Sequence, residues 1–173
     1  MTRIWFVPTV LGALLLFVPL AAQAANHPAK CGPDHVILYK RAVKLIDDAE
    51  KKLAAGYTAE AKAHLKEANS LFTILQKECM PQEKDKVLSD KEAQQEAINQ
   101  KLAADELAQA EKLMKSADEK EKKAAKIEAT EPDLFIKYQR EAKSEYEQAH
   151  KRSIRSEIYA LRNQQMIFKF LVR

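Results

Sequence analysis

Residues 31–79 read CGPDHVILYKRAVKLIDDAEKKLAAGYTAEAKAHLKEANSLFTILQKEC, and the reading of this stretch decides the fold. Gly32-Pro33-Asp34 is a helix start, because proline suits a first turn and Asp34 can cap free N–H groups. From there Tyr39, Ala42, Ile46, Ala49 and Leu53 recur at alternating spacings of three and four, which puts them on one helix face. Gly56 supplies the left-handed position that ends a helix, and Thr58 is placed to cap the next. Ala61, Leu65, Ala68, Phe72, Leu75 and Cys79 form a second stripe of the same kind. Folding the chain at Gly56 sets Leu53 beside Ala61, Ile46 beside Ala68 and Ala42 beside Phe72. The same register carries Cys31 to the level of Cys79, so the chain's only 2 cysteines are expected to staple the open end of a helical hairpin.

Outside this hairpin the composition continues the helical theme. The chain has 173 residues with 31% charged residues and only 3 glycines, a composition of long helices or coiled coils with few strand formers. Its 29 basic and 25 acidic residues are interleaved, so the net charge of +4 describes solvated helix faces and no nucleic-acid partner is expected.

Residues 1–24 have the three parts of a secretory signal. Arg3 begins it, Ile4 to Leu20 is apolar, and Ala22-Gln23-Ala24 offers small residues for cleavage before Ala25. The expected mature chain is exported to the periplasm or secreted, where two cysteines become oxidised. The domains expected are 1–24 signal peptide, 25–80 stapled hairpin, 81–88 linker and 89–173 a long antiparallel helical hairpin.

In that second hairpin Ser89-Asp90 caps a helix running to about Thr130, and Thr130-Glu131-Pro132-Asp133 makes the turn. Alanine recurs every seventh residue at Ala103, Ala110, Ala117 and Ala124, the mark of a seam where a partner backbone comes close. Leu107 and Met114 are read as filling the alternate seam positions. The last helix answers with Phe135, Tyr138, Ala142, Tyr146, Ala149 and Ser153, which sets Ala117 near Glu145 and Ala124 near Tyr138. Its apolar line then shifts to Ile154, Ile158, Leu161, Gln165, Phe168 and Val172, rotated by roughly 100°. Ile98 and Leu102 likewise lie off the alanine seam. A second face on both helices predicts a four-helix body, residues 34–80 packed on 88–113 and 154–172, with a two-helix arm projecting from it. The fold class is all-α.

Two sets of residues could carry function. His27, Cys31, His35, Cys79 and Met80 converge on the stapled end, a soft donor set that suits copper or zinc if the cysteines stay reduced. The apolar residues Ile154, Ile158, Leu161, Phe168, Phe170 and Val172 offer an interaction surface for self-association, an envelope partner or a membrane surface. No glycine-rich phosphate loop, serine elbow or Cys/His catalytic pairing is present, so catalysis is not expected. His150 stands alone and reads as a seam-edge residue.

The segment Ala42-Val43-Lys44, with Ala49, Gly56, Thr58, His64 and Lys66-Glu67, resembles the hairpin unit of the small periplasmic metal-binding protein family. The likeness covers about residues 35–68 and implies antiparallel helices that bind divalent metals, with His35 and His64 as its histidines. Where that family repeats histidine, this chain has Leu45, Lys52 and Tyr57. Gly56, Ala61, Leu65 and Ala68 are also similar to half of a tetratricopeptide repeat, with no second copy following. The expectation is an exported, non-catalytic binding or scaffold protein of the envelope. A copper or zinc protein and a peripheral membrane protein are the alternatives.

Overall fold

The computed structural model describes residues 31–79 and 88–172. The expected leader, His27, Met80 and most of the linker lie outside the described residues. Among the described residues four α-helices follow one another: α1 (Pro33–Ala54), α2 (Thr58–Cys79), α3 (Asp90–Ile127) and α4 (Pro132–Ile167), with a 3-10 helix, Phe168–Val172, after them. No strand occurs among the described residues, and no described helix is long and apolar enough to cross a membrane.

The hairpin turn forms as the sequence requires. Gly56 has φ +85°, the left-handed conformation that carries a penalty for any side chain. Tyr57 N–H donates to the Lys52 carbonyl at 2.9 Å and Gly56 N–H to that of Leu53 at 3.1 Å, a Schellman pair that satisfies the last carbonyls of α1. The cap of α2 differs from expectation: Ala61 N–H donates to the Tyr57 carbonyl at 3.0 Å, so Thr58 is the first helical residue rather than the cap. In α3, Ser89 occupies the cap as expected, and the Glu92 carboxylate accepts from both its N–H (3.0 Å) and its hydroxyl (2.8 Å).

Between α1 and α2 the predicted register holds. Tyr39, Ala42, Ile46 and Ala49 are buried against Ala61, Leu65, Ala68, Phe72 and Leu75. Lys52 pairs with Glu60, Arg41 with Glu67 and His35 with Glu78, one pair at each level of the hairpin. The Cys31–Cys79 disulfide closes the open end, with Cα atoms 5.5 Å apart across 48 residues of sequence. A loop of that length is stabilised by about 4 kcal/mol through the entropy removed from the unfolded chain.

The expected four-helix body is built in layers, with α1 and α2 packed on α4 and α3 packed on α4. The core formed by α1 and α2 continues into Ile154, Ile158, Leu161 and Phe168, and contains no buried residue from α3. Phe168 lies between the layers, its ring 6.0 Å from that of Phe72, which in turn meets Tyr39 edge-on at 6.5 Å. Helix α3 joins the body through α4. At 100° per residue Ser156 lies roughly 160° from both Ile154 and Ile158, so the two faces of α4 are nearly opposite and the hairpin cannot reach α3 across it. Ile98 and Leu102, expected inside the body, are accordingly 52% and 37% exposed. Beyond Ile154, towards the Thr130 turn, α3 and α4 continue as a two-helix arm.

Candidate functional site

The six residues read as an interaction surface go largely into the chain's own core. Ile154, Ile158, Leu161 and Phe168 are buried under the hairpin, and Phe170 packs partly buried beside Phe168 with ring centroids 6.3 Å apart. Only Val172 is exposed. The correction has a simple cause: the stapled hairpin offers an alanine-lined groove with Phe72 at its floor, and the apolar line of α4 fills it.

At the stapled end the described members of the donor set have partners of their own. Cys31 and Cys79 are bonded to each other, and disulfide sulfurs are not thiolate ligands. His35 uses both ring nitrogens within the chain. Gly32 N–H donates to Nδ1 at 3.0 Å, which leaves the proton on Nε2 to be donated to Glu78 Oε2 at 2.8 Å. His64 belongs to the middle of α2, far along the hairpin from this end. Among the described residues no group of three or more His, Cys, Asp or Glu side chains is placed to hold an ion, and His27 and Met80 of the expected set lie outside those residues.

The arm is built on the alanine seam, and its register matches expectation. Ala110, Ala117 and Ala124 are buried against Ala142 and Ala149, and Lys120 reaches Glu145 at 2.7 Å. The alternate seam positions are not those read from the sequence. Glu106, Leu113 and Lys120 occupy them, each three residues after one alanine and four before the next, while Leu107 and Met114 are turned outward at 46% and 51% exposure. The seam charges are matched across the interface. Glu106 accepts from Arg152 at 2.9 Å, and Lys120 is shared between Glu145 and Glu141 at 2.7 and 3.3 Å. The hydrogen bond from Lys120 holds the Glu145 carboxyl below its ordinary value against the opposing effect of burial, and the same bond raises Lys120.

Outside the seam, Leu107 and Met114 stand one heptad apart on a single flank of the arm. Tyr146 closes that flank, its hydroxyl 2.6 Å from Asp118 Oδ1 and 3.0 Å from Glu121 Oε2. Those two carboxylates push its phenol well above the ordinary tyrosine range, Asp118 foremost, so it stays protonated and holds the strip in place. Ile98 and Leu102 lie on the other flank, since Leu102 and Leu107 are about 140° apart around the helix. These exposed side chains could have been found in the sequence only by weighing the three-residue line from each alanine against the four-residue line.

A further joint was not legible in the sequence. Arg162 of α4 donates through Nη2 to Asp47 (2.7 Å) and Glu50 (2.8 Å), through Nε to Glu50 (3.1 Å) and through Nη1 to Gln165 (2.7 Å). Tyr39 adds a bond from its hydroxyl to the Gln165 carbonyl at 3.3 Å. Clefts border the helix contacts among the described residues, including one of about 270 Å³ between α1 and α4, one of about 380 Å³ between α2 and α4, and one of about 480 Å³ along the arm. No family model, curated protein or solved structure matches this chain.

Proposed function

We propose that this is an exported, non-catalytic binding or scaffold protein that contacts a protein partner through the outer flank of its α3/α4 arm. The observation that carries the reading is the pair Leu107 and Met114. Two large apolar side chains, about half exposed, sit one heptad apart on a two-helix arm. Apolar residues at heptad spacing on a helix suit a further helix packing alongside. The stapled hairpin grips α4 from the far side and anchors the arm, which is the arrangement a spacer or adaptor needs. The disulfide supports an oxidising, exported setting.

The reading is tested by placing a photoreactive amino acid at Met114 in the full chain, expressed with its leader in a cell that exports it. One discrete heavier adduct is expected in the exported fraction, and Leu107→Asp is expected to abolish it. Identical adducts from a probe at the exposed Lys123, or none at Met114, would overturn it.

A further inference from the structure

We propose that the groove between α2 and α4 binds a monomeric fatty acid, its carboxylate held by Lys62 and Lys66. The groove measures about 380 Å³, within the range of roughly 300–1,000 Å³ that small-molecule sites occupy. Its floor is Leu65 and Leu161, with Ala160 beside them, so the base of the groove is apolar. One wall carries Lys62 and Lys66, a helical turn apart on α2. Neither makes an ion pair with any described carboxylate, whereas Lys52, Lys120, Arg152 and Arg162 all do.

The charge of the lining selects the headgroup. Two lysines face one carboxylate, Glu157 on α4, which leaves a formal charge of +1 in the groove. A monoanion neutralises that charge. Asn69, one turn beyond Lys66, adds an amide donor to the same wall. An acyl chain lying on Leu65, Ala160 and Leu161 is removed from water on one side, and the half-open groove lets its far end leave. The clefts between α1 and α4 and along the arm offer no such combination. Between α1 and α4, Glu50 is already taken by Arg162. Along the arm, Arg152 and Glu145 are taken by Glu106 and Lys120, and Gln109, Ser116 and Gln148 make the lining polar.

The test is calorimetric titration of the full chain, disulfide intact, with laurate below its micelle threshold. Saturable binding of one laurate per chain is expected. Reversal of both charges by Lys62→Glu and Lys66→Glu is expected to weaken it about tenfold or more, and dodecanol should bind about tenfold more weakly than laurate. Ala160→Trp fills the groove without altering its charge and should also remove binding. Lys112→Glu, in the arm cleft, should not change it. Circular dichroism establishes that each variant is folded. Absent saturation, equal affinity in the charge-reversed chain, or equal affinity for dodecanol overturns the proposal. So does sedimentation with phosphatidylglycerol vesicles, lost in the charge-reversed chain, when laurate itself does not bind.

Discussion

Ser156 and Ile158 are two residues apart on α4 and belong to different interfaces. Ser156 Oγ donates to the Ala103 carbonyl of α3 at 2.8 Å, while Ile158, 5% exposed, lies in the core under the stapled hairpin. A step of two residues turns the helix by about 200°, so α4 is a wall with one helix on one side and two on the other. It is therefore the element through which every layer of the molecule is held.

Phe168 tests the assignment of the C-terminal apolar line to the core. It is 1% exposed and stacked on Phe72, so Phe168→Ala should destabilise the fold by about 3–5 kcal/mol. Urea unfolding measures this. A free interaction surface predicts instead an unchanged midpoint with altered self-association.

Arg162 tests the joint between α1 and α4. Its guanidinium is partly buried, and desolvation opposes its charge, but the bonds it donates to Glu50 and Asp47 outweigh that and raise its pKa. Arg162→Met keeps the stem and removes the fork, and should cost about 1–3 kcal/mol by thermal or urea unfolding. Arg41→Met, at an exposed pair, should cost under about 1 kcal/mol. Equal losses at the two sites would mean the Arg162 network contributes nothing special.

Ala117 tests the seam. It is fully buried between the two arm helices, and Ala117→Leu should push them apart at a cost of about 1–3 kcal/mol. Ala104→Leu on the exposed surface of the same helix should be close to neutral. Amide hydrogen exchange reads the difference locally, as faster exchange in the arm with the hairpin unchanged.

Glu145 and Lys120 make the arm sensitive to pH. The folded pKa of Glu145 lies below its ordinary value of 4.5, so its contribution is present above that value and is lost as pH falls through the folded pKa. Lys120 is raised above 10.5, so its contribution is lost only as pH rises through that raised value. Between the two the pair should be flat. Stability measured from neutral pH to about pH 3 should fall more steeply in the parent chain than in Glu145→Gln. Parallel curves would show that the pair has no linkage to folding.

The sequence alone determined the all-helical fold, the hairpin at Gly56, the Cys31–Cys79 staple and the alanine seam. These depend on local rules: glycine for a left-handed turn, a three-four apolar period for a helix face, and equal helix lengths that bring two chain ends level. Tertiary structure decided which line of α3 completes the seam. Glu106 and Leu107 flank the same alanines, and hydrophobicity alone chooses Leu107. The glutamate goes inside because Arg152 stands opposite it, and Lys120 because Glu145 does. A buried or half-buried charge is tolerable only with its partner in place, and that partner is 46 residues away for Glu106 and 25 for Lys120. The C-terminal apolar line was legible in the sequence as a face for the hairpin to cover, because its periodicity left it without another neighbour. Only the tertiary structure decided that α3 stays out of that core and that an Arg162 fork joins α4 to α1.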